Sequence, residues 1–295
     1  MLLMNYSLFK ISFGTSKKNH ISDIDIDANI SDICYATGDK FIFASDDTHC
    51  LGLVEGGKVK FPWIGRIRKK GNEDGSGQSA LLNAPISVCL NVLGNICVVM
   101  EDGGSRIREI EIEASYASSR WGASQNRFID RYFSKIKKED SKEVSCAVGP
   151  NGHIYWVVGA INRCFKCNAS TITNLVGNGH AGYSVSNNLQ SSLLNGPSGV
   201  CSVGKSIYIS DKGNGCIRKV SGDSIGVIYG NPLQKKAMSP SKIVGKKNVI
   251  YFIGDGKKVK YLSMANEGDG NIYESEGLCS ICLDEKNNLF VLERK

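Results

Sequence analysis

The sequence has no long hydrophobic run. Hydrophobic residues make up 41% of the 295 positions, yet no stretch approaches the roughly 20 apolar residues that a membrane-spanning helix requires. The apolar start, Met1–Met4, is interrupted by Asn5 and has no basic residues before it, so we expect no secretory signal. No segment has the composition of a disordered region. The chain is therefore expected to fold without a membrane span.

Several enzyme motifs are absent too. The sequence shows no Ser-His-Asp order, no P-loop and no Gly-x-Gly-x-x-Gly motif between a strand and a helix. The run Gly71–Gly77 is rich in glycine, but it lacks the Lys-Ser/Thr pair and the following helix of a P-loop. We interpret this run as part of a structural repeat.

The sequence does contain a repeated template. One copy begins with Gly71–Gly77 and continues through Leu-Leu-Asn-Ala-Pro, which ends at Pro85, into an apolar run. A second copy begins with Gly177–Gly182 and continues through Leu-Leu-Asn-Gly-Pro, which ends at Pro197, into two alternating segments joined by a turn. A sequence repeat of this kind decides the fold, so it must be recognised before single motifs are interpreted.

The repeat can be counted with one marker, the first apolar residue of the second predicted strand in each unit. The marker recurs at Phe41, Ile96, Ile154, Ile207, Ile250 and Leu289. Each unit is predicted to contain four short strands separated by Gly, Asn and Asp turns. Six such units predict an all-β fold, a six-bladed β-propeller of four-stranded antiparallel blades.

The termini are predicted to complete one blade together. The chain ends two strands into its sixth unit, and residues 5–14 alternate in polarity like a strand. We expect N-terminal strands to join the C-terminal blade and close the ring; the alternative is a frayed N-terminal extension. Residues 1–295 then form a single propeller domain. The predicted blades are approximately residues 30–65, 84–122, 143–177, 197–230, 239–276, and 277–295 together with 5–14.

These motifs resemble the NHL-repeat family of six-bladed propellers. The resemblance rests on the two glycine-rich runs, the two Leu-Leu-Asn-x-Pro steps, the segment Ile207–Asp211 and the pairs Ile107-Arg108 and Ile217-Arg218. It implies a propeller fold. It also implies three kinds of function found on such propellers: protein interaction, RNA binding, and metal-dependent catalysis in the central channel through His, Asp, Asn or Glu.

Eleven cysteines could form disulfides, bind a metal or pack in the core. We expect five of them to share one position in the innermost strand of a blade, where small side chains fit: Cys34, Cys89, Cys146, Cys201 and Cys282. Two Cys-x-x-Cys pairs, Cys164/Cys167 and Cys279/Cys282, fall inside predicted strands, where residues three apart point to opposite faces. Packing is therefore favoured over zinc. The odd cysteine number favours the cytoplasm or another reducing compartment.

The residues give little support for a catalytic centre. The four histidines occupy no equivalent places in adjacent units: His20, His49, His153 and His180. Asp46, Asp102 and Asp211 follow the second strand of three units and are predicted to accept backbone hydrogen bonds in the next turn. A metal site in the channel is the alternative for these aspartates. We predict no catalytic residue, metal or cofactor, and we leave open whether a small-molecule ligand binds.

The formal net charge of +7 at pH 7 is concentrated in particular loops. The loops that enter the second and third units are basic. The loop that enters the third unit also contains apolar residues near a helical period, which predicts a short amphipathic helix. The predicted partner-binding residues are Arg66, Arg68, Lys69, Lys70, Arg127, Phe128, Arg131, Tyr132, Lys135, Lys137 and Lys138. A solvated basic exterior is the alternative, as for the lysines of the fifth unit.

Three functions compete. The favoured one is a non-catalytic scaffold that docks a protein partner through one loop face, alone or as a subunit of a larger assembly; this rests on fold-level analogy. The second is an RNA-binding propeller, which the interspersed acidic residues disfavour. The third is a metal-dependent hydrolase or lyase with a central-channel site, which the lack of a convergent polar set disfavours.

Overall fold

The computed structural model describes residues 4–12, 17–121, 143–169, 171–186, 188–233, 238–265 and 268–295. Helical segments within these residues are single 3-10 turns, at Gly77–Ser79, Asp102–Gly104, Gly159–Ile161, Leu189–Ser191 and Lys212–Asn214. None of the helices in this part of the chain has the length and apolar character needed to span a bilayer.

The described residues contain 25 strands, numbered here in chain order. They are β1 (Met4–Ser12), β2 (Lys17–Ile26), β3 (Asp32–Ala36), β4 (Lys40–Ser45), β5 (Cys50–Glu55), β6 (Lys58–Ile64), β7 (Gly75–Ser76), β8 (Ser87–Leu90), β9 (Ile96–Glu101), β10 (Arg106–Glu111), β11 (Tyr116–Trp121), β12 (Val144–Val148), β13 (Ile154–Val158), β14 (Arg163–Cys167), β15 (Ile172–Val176), β16 (Pro197–Val203), β17 (Ser206–Asp211), β18 (Cys216–Ser221), β19 (Ser224–Gly230), β20 (Pro240–Lys246), β21 (Val249–Gly254), β22 (Lys258–Ser263), β23 (Asp269–Glu274), β24 (Leu278–Leu283) and β25 (Leu289–Arg294).

The chain divides into two compact units, each with three sheets. The first unit, Met1–Asp130 with Ser275–Lys295, holds the sheets β2-β1-β25-β24, β3-β4-β5-β6 and β7-β11-β10-β9-β8. The second unit, Arg131–Glu274, holds β12-β13-β14-β15, β16-β17-β18-β19 and β20-β21-β22-β23. Neighbouring strands are antiparallel throughout. The fold class is all-β with six four-stranded blades, which confirms the six-bladed β-propeller that the repeat predicts; β7 adds two residues to one outer edge.

The first strand of the chain pairs with the last one. Strand β1 runs antiparallel to β25 from the pair Tyr6↔Arg294 to the pair Ile11↔Leu289, and Leu8 is completely buried. The predicted pairing of N-terminal and C-terminal strands is therefore confirmed.

The sequence prediction missed the outer strand β2, because it ended this blade at residue 14. The missed strand alternates exposed acids with buried isoleucines, Asp23-Ile24-Asp25-Ile26. Aspartate is depleted in strands as a rule, but charged side chains are common on exposed edge strands, where they block unwanted pairing.

The cysteines pack in the sheets as thiols. None of the eleven, all of which lie within the described residues, forms a disulfide. Burial raises the pKa of Cys50 to about 12, so that thiol stays protonated at neutral pH. The predicted common position holds for first strands such as β3, β16 and β24, where Cys34 pairs with Ile42, Cys201 with Tyr208 and Cys282 with Phe290.

The prediction is wrong for Cys146, which is shifted by one residue. In β12 the equivalent position belongs to Ala147, which pairs with Tyr155, while Cys146 pairs with Trp156. Because successive side chains of a strand point to opposite faces, Cys146 faces the other side of its sheet.

One buried carboxylate ties together the first strands of three sheets in the first unit. Asp32 at the start of β3 is 3% exposed. Its Oδ1 accepts hydrogen bonds from Ser280 Oγ at 2.9 Å and Ile33 N at 2.9 Å. Its Oδ2 accepts from Ser87 Oγ at 2.7 Å and Val88 N at 3.1 Å. Four donors compensate the cost of removing this carboxylate from water.

We expect Asp32→Ala to lower the free energy of unfolding by about 3 kcal/mol or more, because hydrogen bonds to a buried charge are lost and their donors are left unpaired. Urea denaturation followed by tryptophan fluorescence measures the change. Asp25→Ala, on an exposed face of β2, is the matched control and should change the value by no more than about 0.5 kcal/mol. Equal effects of the two substitutions would contradict the role of Asp32 in joining the first strands of the three sheets.

Candidate interaction surface

The described part of the predicted docking surface is a tight turn after β6. We call residues 66–70 the basic turn; its sequence is Arg-Ile-Arg-Lys-Lys. Lys69 N donates to Arg66 O at 3.0 Å, which closes the turn. Arg68 lies at the third position with φ of 59°, a left-handed conformation that usually favours glycine or asparagine there. The surrounding contacts must therefore hold this arginine in place.

Three contacts position the basic turn. Arg68 N donates to Thr48 O at 2.9 Å, and its guanidinium Nη2 lies 3.2 Å from Asp27 Oδ2. Arg66 Nε donates to Gln78 O at 2.6 Å. The two arginines of the turn therefore serve mainly to orient it.

The remaining side chains of the basic turn face solvent. Ile67 is 50% exposed, and both Lys69 and Lys70 are exposed. Neither lysine forms an ion pair with any residue that the structure describes. The turn thus presents an apolar tip beside two uncompensated positive charges.

Behind the basic turn, a fully buried arginine holds the glycine-rich loop, residues 71–85. The guanidinium of Arg108, in β10, donates from Nη1 to Leu81 O at 3.2 Å and from Nη2 to Glu73 O at 3.1 Å. The same Nη2 lies 3.0 Å from Asp74 Oδ1. A guanidinium carries five donors in a rigid fork, so one side chain can bind several points of a loop.

The second copy of the template, in the second unit, repeats this arrangement. Arg218 in β18 is also fully buried, and its Nη2 donates to Ser184 O at 2.9 Å, the carbonyl equivalent to Glu73 O. Its guanidinium lies 5.0 Å from the ring centroid of Tyr183, which adds a cation–π contact. In each copy an early glycine donates to the second leucine of the Leu-Leu-Asn step at 3.0 Å: Gly71 to Leu82, and Gly182 to Leu194.

The acid beside each buried arginine differs between the copies. Asp211 Oδ2 accepts from Arg218 Nη1 at 3.3 Å and from Asn214 Nδ2 at 2.8 Å, and its Oδ1 accepts from Asn195 N at 2.8 Å. In the first copy the acid is Glu101, which is fully buried and lies 3.9 Å from Arg108 Nη1.

Glu101 is short of donors because Gly104 stands where the second copy has Asn214. No side chain donates a hydrogen bond of normal geometry to its carboxylate. Burial raises the pKa of Glu101 to about 8, and the charges of Arg108 and Arg106, with the backbone of Asn83, counteract only part of this effect.

The structure corrects the sequence prediction for the aspartates. Asp102 and Asp46 were expected to match Asp211, but the strand pairing puts Glu101 and Ser45 at that position. The partners differ too: Asp102 Oδ2 accepts from the side chain of Ser105 at 3.1 Å, and Asp211 binds the preceding loop as well as the next turn. The sequence analysis singled out both arginines, because they belong to the Ile-Arg pairs. It did not predict that their side chains are buried.

The predicted docking surface also includes a second loop. This loop, with Arg127, Phe128, Arg131, Tyr132, Lys135, Lys137 and Lys138, lies outside the described residues. Its role in partner binding therefore stays a prediction.

Three of the four histidines each have a side-chain contact of their own. His20 lies 3.0 Å from Asp23 Oδ1, His49 Nδ1 accepts from Ala84 N at 3.0 Å, and His153 Nδ1 lies 2.8 Å from Asn151 Nδ2. Within the described ranges, no three His, Cys, Asp or Glu side chains come together in a group that could hold a metal ion.

Comparisons with known proteins support the fold. No protein-family model matches the chain, and no curated protein matches it in sequence. A chain of the nidogen/laminin complex is similar with a TM-score of 0.61 and 11% identity, over 98% of both chains. A streptogramin B lyase is similar with a TM-score of 0.54 and 11% identity, over 99% of this chain and 98% of the lyase.

A third similar structure is a catalytically inactive histidine-to-alanine variant of virginiamycin B lyase from Staphylococcus aureus, with quinupristin. Its TM-score is 0.53 at 13% identity, over 98% of this chain and 99% of the lyase. At such identities the similarities show the fold alone.

The buried Glu101 gives a pH prediction. Its pKa rises from 4.5 in the unfolded chain to about 8 in the fold, so the folded state keeps a proton that the unfolded state releases between these values. Stability is therefore lost as pH rises through this window, with a slope that approaches about 1.4 kcal/mol per pH unit. Glu101→Gln, which cannot ionise, should lose less stability than the wild type between about pH 5 and 8.

Urea denaturation at several pH values measures this difference. Glu111→Gln, at an exposed position of the adjacent strand β10, is the control and should follow the wild type. A Glu101→Gln protein whose stability difference from the wild type is the same at every pH would show that Glu101 is ionised in the fold.

Proposed function

We propose that this chain is a non-catalytic interaction scaffold that docks a protein partner through its loop face, with the basic turn as one contact. The observation that carries the proposal is the exposed Ile67 beside Lys69 and Lys70 on a turn whose backbone is held in one conformation. A preorganised contact loses little conformational entropy on binding. The predicted second basic loop would extend this contact.

The composition of the turn indicates the partner's chemistry. An exposed apolar side chain surrounded by positive charge fits an apolar pocket with an acidic rim on another protein. The apolar contact would supply affinity, and the lysines would accelerate association and favour acidic partners. Because exposed charges are screened by salt, the interaction should weaken as ionic strength rises.

We also propose a relationship to the NHL-repeat propellers. It is supported by the two glycine-rich loops and by the buried Arg108 and Arg218, which belong to the Ile-Arg pairs of the resemblance. The similarity to a chain of the nidogen/laminin complex is consistent with protein binding on this fold.

The test is a charge reversal that spares the arginines holding the turn. The double variant Lys69→Glu/Lys70→Glu should lose its partners in affinity purification from native extract at low salt, because attraction to an acidic surface becomes repulsion. Ile67→Asp should have the same effect through the lost apolar contact. Quantitative mass spectrometry of the recovered proteins gives the measurement.

The matched control is Lys58→Glu/Lys60→Glu, which makes the same charge change at exposed positions of β6. It should retain the partners. Melting temperatures of all variants should stay within about 2 °C of the wild type, since surface substitutions change stability little. Partners retained by the Lys69/Lys70 variant, or lost equally with the control, would refute the docking role of the basic turn.

A further inference from the structure

Two cavities occupy the same position of the repeat, one in each unit. The first lies between the sheets that contain β25 and β4, and has a volume of about 350 Å³. The second lies between the sheets that contain β13 and β17, and has a volume of about 530 Å³. Both lie where the first and second strands of a blade are joined, at the strand ends opposite those that carry the glycine-rich loops.

The strand pairing establishes that the cavities are equivalent. In the first, Phe290 pairs with Lys10 on the next strand of its sheet. In the second, Tyr155 pairs with Lys166 in the same way. Each cavity therefore has an aromatic ring with a lysine beside it on one wall.

On the opposite wall, one side chain differs between the two cavities, and we attribute their difference in volume to it. There Tyr35 pairs with Phe41 in the first cavity, and Ser202 pairs with Ile207 in the second. The ring of Tyr35 stacks on Phe290 with centroids 5.8 Å apart and an angle of 15°. In the first unit an aromatic side chain thus fills space that a serine leaves open in the second.

The charges of the two cavities differ as well. The first is lined by acids and lysines together: Asp39, Asp284, Glu285, Lys10 and Lys286. The second is lined by Lys166 and Lys205 and by no carboxylate. Neither of these two lysines is paired with a carboxylate of the described residues.

Neutral hydrogen-bonding groups accompany the two lysines of the second cavity. Asn151, Ser202 and Tyr155 belong to its lining. Burial raises the pKa of Tyr155, so its hydroxyl keeps its proton. These groups converge because residue 149 is glycine: a Cβ there would lie 2.9 Å from the Tyr155 ring and 3.3 Å from Ser202 Oγ.

We propose that the cavity between β13 and β17 binds a small organic phosphate, with the phosphate held by Lys166 and Lys205 and an apolar body held against Tyr155 and Ile207. A phosphate monoester carries nearly two negative charges at neutral pH, which matches two lysines without acids. Its oxygens accept hydrogen bonds from lysine, asparagine and hydroxyl donors. The volume lies in the range of small-molecule sites. The residues that line this cavity are different from those of the basic turn, so the proposal does not rest on the docking function.

Isothermal titration calorimetry with phenyl phosphate tests the proposal. Phenyl phosphate should bind the full-length protein, whereas phenol, inorganic phosphate and benzoate should each bind at least about fivefold more weakly. Phenol lacks the charge, inorganic phosphate lacks the apolar body, and benzoate carries a single charge; a lost contact of about 1 kcal/mol corresponds to roughly fivefold in affinity.

Variants locate the site. Lys166→Met keeps an unbranched side chain, one atom shorter, and removes the charge, so it should weaken phenyl phosphate binding by about fivefold or more. Ser202→Tyr introduces the residue found in the smaller cavity and should abolish detectable binding. Lys10→Met, the same change at the equivalent position of the other cavity, is the control and should leave the affinity unchanged.

Four results would overturn the proposal. They are no binding of phenyl phosphate, equal binding of phenol or benzoate, equal binding of inorganic phosphate, and unchanged affinity in the Lys166→Met protein. Circular dichroism and thermal melting show whether each variant is folded. If Ser202→Tyr fails to fold, Lys205→Met replaces it, since Lys205 lies on an exposed turn and should weaken binding as Lys166→Met does.

Discussion

Each glycine-rich loop depends on a buried guanidinium. A loop rich in glycine has a high conformational entropy to lose on folding. Arg108 and Arg218 compensate by binding loop carbonyls from inside the sheet. The basic turn directly precedes the first of these loops in the chain, and Gly71 N, at the junction of the two, donates to Leu82 O. The buried Arg108 thus holds the loop that follows the turn, while Arg66 and Arg68 hold the turn that we propose as a docking contact.

The two copies of the template differ in how well the acid beside the buried arginine is hydrogen-bonded. In the second, Asn214 and the backbone of Asn195 hydrogen-bond Asp211 beside the guanidinium. In the first, glycine replaces that asparagine and Glu101 is left poorly paired. The same repeat position thus holds an acid with several hydrogen-bond donors in one unit and an acid without a side-chain donor in the other, and burial raises the pKa of both carboxyl groups. A repeat allows such variation because each blade has its own hydrogen-bonded sheet.

The sequence predicted the elements better than their exact alignment. Blade number, the pairing of first and last strands, and thiol packing follow from repeat spacing and alternation. One-residue shifts escaped this reasoning at Cys146 and Asp102, because insertion of a single residue in a turn leaves the composition of a strand unchanged yet turns its side chains to the other face. The strand β2 was missed because its aspartates obscured an alternation that was present.

By itself, the sequence determined the six-unit all-β fold, since a periodic pattern of apolar residues and turns can satisfy its backbone hydrogen bonds only in repeated sheets. It also determined the basic character of residues 66–70. Only the tertiary structure decided that two arginines are buried, that Glu101 lacks a donor, and that Ser202 opens a cavity lined by lysines. These properties depend on contacts between segments that are distant in the sequence, and a local sequence pattern does not predict such contacts.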